Sequence, residues 1–271
     1  MLKFNLSQGE LKAPSPLLEI NMEKEILSKT RLYELLSRLE SSPGDYISLY
    51  IKPSSFPYCI NGLSLRPQYN TYTYEIKESV KIKAVAQAVE RYNTGAAIYW
   101  QKNGNKYIVL PPFPITEDKI SLGKLDASLL LEALEREYII GVVVVTWGTY
   151  SIGVFHRDNL VKSKAGTGYI HKEHRKGGRS EKRFARRTEE QKKDFLRKVS
   201  NRIEEEFENY TLDYIFLGGN RLIRAPLLRE CKYLQREAQK ISQRVLNLRY
   251  ADKEALNHSL REITSSVVFT F

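Results

Sequence analysis

The run YIIGVVVVTW, Tyr138 to Trp147, narrows what this chain can fold into more than any other stretch. It is apolar almost throughout and does not alternate, so as a strand it must be covered on both faces. It is about half the roughly 20 residues that a membrane-spanning helix needs. A strand buried on both sides requires helices above and below its sheet, which is a three-layer arrangement. The neighbouring sequence supplies the partners. Tight turns at Trp147-Gly148 and at Arg157 to Asn159 predict strands at Tyr150 to His156 and Asn159 to Lys164. A short further strand is expected at Thr167 to Lys172. LDYIFLGG, Leu212 to Gly219, reads as another buried strand, and RVLNLRY, Arg244 to Tyr250, as a last one.

Helices are expected around this sheet. LDASLLLEALERE, Leu125 to Glu137, is amphipathic. A long helix runs from about Ser180 to Glu208, with Phe195, Val199, Ile203 and Phe207 at four-residue steps on its inner stripe. Two more are expected at Arg221 to Lys240 and Ala251 to Thr264. The fold class is therefore α/β (α+β), a mixed sheet flanked by helices.

The first half reads as a smaller α/β domain at 1–120. Leu32, Leu35, Leu36 and Leu39 fall at helical spacing within a helix expected from Met22 to Leu39, and SSPGD ends it. A strand follows at Tyr46 to Lys52, then a long excursion from Ser54 to Tyr74 and a helix from Ile76 to Tyr92. The tyrosine-rich YNTYTY, Tyr69 to Tyr74, reads as a strand surface rather than a base-stacking platform. A hairpin is expected over Ala96 to Leu110 about Asn103-Gly104. PPFPI, Pro111 to Ile115, punctuates the chain, so the boundary is expected at 115–128 and the second domain at 125–271.

Charge is the second constraint. The chain carries a net +11, and Lys162 to Arg202 holds fifteen Lys or Arg against five Asp or Glu, a net +10. Nearly all the excess sits in one segment, which is the electrostatic footprint of a nucleic-acid-binding face. Cys59 and Cys231 lie far apart without metal-ligand spacing, which fits a reducing compartment. The first fifteen residues have no apolar core of the kind a secretory signal requires, so a cytoplasmic location without a membrane is expected. His171 and His174 flank Glu173 without a ligand cluster, so no metal is expected. His156 and Asp158 read as part of a turn. GTG at Gly166 to Gly168 and LGGN at Leu217 to Asn220 lack the context of a nucleotide loop, so no cofactor is expected.

Inside the basic segment, HRKGGRSEKRFARR places Gly177 and Gly178 between the last strand and the long helix. Adjacent glycines admit backbone angles closed to other residues, and free N–H groups at a helix start suit anions. The wider stretch KGGRSEKRFARRTEEQKKDFLRKV resembles the loop and helix of the class I release factors of eukaryotes and archaea. There a Gly-Gly-Gln tip is followed by Ser and an Arg-Phe-Ala-Arg run. The flanking strands, YIFLGGN and RYADKEALNHSL match the family's order of elements over about 138–264. The resemblance is nearest to the Vms-like release-factor branch (VLRF).

That resemblance implies an RNase H-like sheet domain and hydrolysis of the ester joining a nascent peptide to tRNA. The implied partners are the large ribosomal subunit and peptidyl-tRNA in ribosome-associated quality control. Carried over residue by residue, the catalytic tip is Gly177, Gly178, Arg179, Ser180 and Glu181. Lys172, His174, Arg175, Lys176, Lys182, Arg183, Arg186, Arg187, Lys193 and Arg197 would bind RNA. The chain departs from the family at the tip, where Arg179 replaces the glutamine and the nearest downstream glutamine is Gln191. The alternative is therefore a non-catalytic ribosome- or tRNA-binding factor. The first half resembles the family's first domain only loosely and lacks the Asn-Ile-Lys-Ser codon-reading element. No third domain follows, so the family's platform for a partner GTPase is not expected.

Overall fold

A computed structural model of the chain describes residues 22–64, 67–101, 104–170 and 179–271. It is mixed α/β with two separate sheets, each in its own unit: the described residues within 136–263 form one, and the described residues on either side form the other.

In the first unit the order is β1 (Glu23–Leu27), α1 (Lys29–Glu40), β2 (Tyr46–Ile51), α2 (Phe56–Gly62), α3 (Asn70–Lys81), α4 (Lys83–Tyr92), β3 (Ala96–Gln101), β4 (Lys106–Leu110), β5 (Lys119–Gly123) and α5 (Ser128–Glu135). The expected hairpin is β3–β4. The strand at the far end of the chain, β10 (Ser266–Thr270), also belongs here. All neighbours are antiparallel, in the order β1-β10-β4-β3-β2-β5. One face packs Ile47, Leu49 and Trp100 against α2, α3 and α4, with Ile76, Val80 and Val85 buried. The other face packs Tyr50, Tyr99 and Val109 against α1 and α5, through Leu32, Leu35, Leu36, Leu129 and Leu130.

Several expectations change here. The helix foreseen from Met22 begins at Lys29, because the Ser28 hydroxyl caps it by accepting from the Arg31 N–H and the preceding five residues pair with β10. The tyrosine-rich stretch is helical rather than extended: Tyr69, Tyr72, Thr73, Ile76 and Val80 line one helical face, which the sheet buries. The helix expected from Ile76 to Tyr92 is two helices, broken where Ile82 is extended (φ −54°, ψ 126°). The second domain does not run from 125 to 271. Residues 125–135 and 264–271 belong to the first unit, because α5 fills that unit's core and β10 its sheet.

The turn into α5 is organised by Asp126. Burial alone would raise its pKa, but the Lys119 ammonium and the Ser121 and Ser128 hydroxyls outweigh that and hold the carboxyl well below the usual carboxylate range. Such a group stabilises above its unfolded pKa of about 4 and loses that contribution as pH falls.

In the second unit the order is β6 (Ile139–Thr146), β7 (Thr149–His156), β8 (Asn159–Thr167), α6 (Arg179–Phe207), β9 (Tyr214–Gly219), α7 (Arg221–Glu230), α8 (Lys232–Arg236) and α9 (Lys253–Ile263). The sheet order is β8-β7-β6-β9, with only the β6–β9 pair parallel. Val143, Val145, Ile152 and Val154 pack on α6, α7 and α8 through Phe195, Val199, Ile203, Phe207 and Ile223. Helix α9 packs against β6 and β7. Gly153 points the opposite way from Ile152 along β7, and a Cβ there would touch Leu256 of α9 at 3.1 Å, so α9 lies on the other face. Covered on both sides, β6 is the strand that its apolar run predicts.

Three differences appear in this unit. Residues 168–170 are not a strand, and the remainder of that expected strand, 171 and 172, lies outside the described residues. Arg244 to Tyr250 does not form a strand either; isolated parallel bridges join Ile241 to Ile215 and Leu246 to Gly218. The helix expected over Arg221 to Lys240 is interrupted at the buried Cys231 (φ −93°, ψ 101°), which separates α7 from α8.

Arg244 closes the end of α9. It is 2 % exposed, and its guanidinium donates to the carbonyls of Glu262 and Ile263, which α9 leaves without helical donors. Arg244→Met should lower the stability of this unit by about 3 kcal/mol, the scale of charged hydrogen bonds lost with their acceptors left buried. Guanidinium unfolding of the variant checks this, and a midpoint equal to wild type would refute the clamp.

Candidate nucleic-acid interface

The site is built on α6 and on the way β8 delivers the chain to it. Gly168, just past β8, accepts no side chain: a Cβ would lie 2.5 Å from the Phe195 ring. Its N–H donates to Gly148 O at 2.8 Å, and Lys198 Nζ donates to Thr167 O at 2.8 Å. The end of β8 is thereby held against the middle of α6. Phe195 in turn packs between Trp147 and Tyr150, with centroids 6.4 and 6.2 Å away.

From there α6 runs sixteen residues toward its own N-terminus, about 24 Å at 1.5 Å per residue. From Arg183 on, the first buried position is Thr188, and Arg183, Phe184, Ala185, Arg186 and Arg187 are all exposed. A stretch of helix without an internal packing partner offers its side chains outward. Here they are mostly arginine.

The cations differ in their neighbours. Arg186 Nε lies 3.1 Å from Glu190, and Lys192 Nζ lies 2.8 Å from Glu189 and over the Trp147 ring. Arg197 faces two carboxylates, Asp194 at 3.3 Å and Glu230 at 3.8 Å. Arg202 pairs with Glu205 at 2.5 Å. Among the described residues Arg183, Arg187 and Lys193 have no carboxylate partner. Exposed pairs such as Arg186–Glu190 are worth at most about 1 kcal/mol and give way readily to a phosphate. A cation between two carboxylates, as at Arg197, is the less available one.

The expected site residues sort accordingly. Lys172, His174, Arg175, Lys176, Gly177 and Gly178 lie outside the described residues. Arg179, Ser180, Glu181 and Lys182 form the first turn of α6. The structure brings Arg183, Arg187 and Lys193 onto one exposed helix. Arg197 is on the same helix but engaged. His156 faces Glu137 at 3.6 Å beside the αL residue Arg157 (φ 55°), so this corner is a hairpin turn. Among the described residues no three His, Cys, Asp or Glu side chains gather where a metal could bind, and no helix is long and apolar enough to cross a membrane. Phe184 was not among the expected site residues. Its signal was its place four residues before Thr188 on the inner stripe.

Residues 139–268, from β6 into β10, match the family model described as the Actinobacteria/chloroflexi VLRF1 release factor. This segment is similar to the VLRF1 release-factor family. It contains the whole of α6 and the tip before it. Over 262 residues the chain is 25 % identical to peptide chain release factor subunit 1 of Thermoplasma acidophilum, covering 88 % of this chain. It spans 61 % of that protein's length. Among solved structures, the archaeal translation termination factor aRF1 aligns with a TM-score of 0.38 at 17 % identity, over 88 % of this chain and 70 % of that one. Archaeoglobus fulgidus Pelota aligns with a TM-score of 0.31 at 10 % identity, over 91 % and 63 %. The matched segment thus holds nearly all the chain's excess charge.

Proposed function

We propose that this chain is a cytoplasmic, ribosome-associated peptidyl-tRNA hydrolase that frees nascent chains still esterified to tRNA on stalled large ribosomal subunits. The observation that carries the reading is the VLRF1 match over 139–268, whose Gly-Gly-Arg-Ser tip leads directly into an outward-facing basic helix. The chemistry is ester hydrolysis. Water attacks the peptidyl carbonyl carbon, the carbonyl oxygen becomes an oxyanion, and the ribose hydroxyl leaves with a proton. The water must be placed and the oxyanion met by donors. In this reading Gly177 and Gly178 allow close approach to the tRNA terminus. Arg179 and Ser180 offer donors to the oxyanion or a neighbouring phosphate, and Glu181 accepts the proton from water. Arg183, Arg187 and Lys193 hold RNA phosphates.

Purified large subunits carrying labelled peptidyl-tRNA test this. Added protein should release free peptide and should turn over. Peptide that stays on tRNA at saturating protein would overturn it. Arg179, standing where the family has glutamine, favours a second reading, a factor that binds the same complex without hydrolysing it; tight binding without release is its signature.

Binding has its own test. Each phosphate contact contributes about 0.7 to 0.9 to the slope of log affinity against log salt. Replacing Arg183, Arg187 and Lys193 together by Gln should flatten the slope by about two units and weaken ribosome binding, with little change in melting. Arg197→Gln alone should do less, since two carboxylates already hold that side chain. An unchanged slope in the triple variant would remove these residues from the interface.

A further inference from the structure

Phe184 is 50 % exposed in the middle of the cationic end of α6. Its exposure follows from its azimuth. At about 100° per residue, Phe184 lies within about 20° of Phe195, so it continues the stripe that packs on the sheet. The stripe is buried at Thr188, Phe195, Val199 and Ile203, and at Phe184 it remains half uncovered. Arg187 and Arg183 stand about 60° and 100° round the helix from it, on one flank. Neither has a carboxylate partner among the described residues. Phe184 itself makes no ring contact among them. The outcome is a flat apolar ring beside two uncompensated guanidinium groups, at the spacing of one helical turn.

We infer that Phe184 is a stacking platform for an unpaired RNA base whose flanking phosphates are held by Arg183 and Arg187. This deepens the function proposed above and rests on its premise that the chain works on RNA. Charge complementarity selects the occupant. A protein partner that buried this ring would also have to neutralise both arginines with its own carboxylates, whereas a nucleotide carries the π-face and the adjacent anion in one unit. Stacking on an aromatic side chain tolerates any base and contributes through contact area rather than charge.

The test separates stacking from charge and from hydrolysis. The full chain is titrated with a short single-stranded oligoadenylate RNA carrying one 2-aminopurine, at low salt, so that no release activity is needed. Wild type should quench the 2-aminopurine fluorescence. Phe184→Leu keeps an apolar side chain but removes the π-face; it should bind about tenfold more weakly, without quenching and with an unchanged salt slope. Phe184→Trp should restore both affinity and quenching. Melting should be the same for all three, because the ring is half exposed. Equal affinity and quenching in Phe184→Leu would overturn the proposal, as would equal losses in the Leu and Trp variants. If Phe184→Leu lost ribosome binding while oligonucleotide binding stayed intact, the face would belong to a protein partner, and the RNA assignment would fall. Stacking without any peptide release in the ribosome assay would leave this inference standing and sink the hydrolase reading alone.

Discussion

A chain cut back to residues 1–263 should lose cooperative folding of its first unit while the second unit melts as in the full chain. The deleted residues contain β10, which sits between β1 and β4 and pairs with both along its length. Val267, Val268 and Phe269 are at most 2 % exposed and fill both cores of that sheet. At about 2 kcal/mol for each fully buried apolar side chain, their loss is about 6 kcal/mol. That is of the order of a whole domain's stability, about 5–15 kcal/mol. β1 would also lose its partner strand, so its ladder disappears with the deletion. Conversely, residues 136–263 expressed alone should fold, since their sheet and helices are all internal to that span. Near-ultraviolet circular dichroism and two-step denaturation distinguish the units. A 1–263 chain that retained both transitions would show that β10 is dispensable.

Gly178→Ala is expected to reduce peptide release about a hundredfold, equivalent to about 2.7 kcal/mol of transition-state stabilisation. The argument is steric. A tip that must approach the terminal ribose leaves no room for a Cβ, and the alanine also narrows the backbone angles available. In the proposed reading binding rests on Arg183, Arg187 and Lys193, so the dissociation constant for the ribosomal complex should stay nearly constant. Replacements at the next positions divide the chemistry. Glu181→Gln should slow release if the carboxylate takes the proton, and should preserve or improve it if water is held by hydrogen bonds alone. Arg179→Gln restores the tip found in the release factors that the sequence resembles. Release gained by that variant over an inactive wild type would identify a binding factor that has lost its chemistry. Release by wild type that is indifferent to Gly178→Ala would remove the tip from the mechanism.

How much could be read in advance differs by element. β6 was legible because a non-alternating run of Ile and Val can satisfy its hydrogen bonds and bury both faces only in a covered sheet, and β7 because tight turns at Trp147-Gly148 and Arg157 to Asn159 bracket it. The four-residue stripe from Phe195 to Phe207 likewise fixed α6 and the face it buries. β1 was not legible. EKEIL is polar and only Leu27 is buried, so nothing local distinguishes it from the start of a helix. Tyr69 to Tyr74 has the composition of a strand, yet it forms part of a helix because its 3–4 spacing meets an apolar sheet face.

The site divides in the same way. Charge is a sum over residues, so its concentration between Lys162 and Arg202 is already complete in the sequence, as are the Gly-Gly-Arg-Ser tip and the local periodicity of the helix behind it. Ion pairing and strand pairing are not sums. Whether an arginine is free depends on carboxylates brought within about 4 Å by folding, and only the structure separates Arg183 and Arg187 from Arg197 with its Glu230 partner. Phe184 is a core residue by period and half exposed in fact, because the inner stripe of α6 is not covered along its whole length. The membership of β10 in the first sheet depends on a partner more than 200 positions earlier, and no local pattern in SVVFT could specify that pairing over any other.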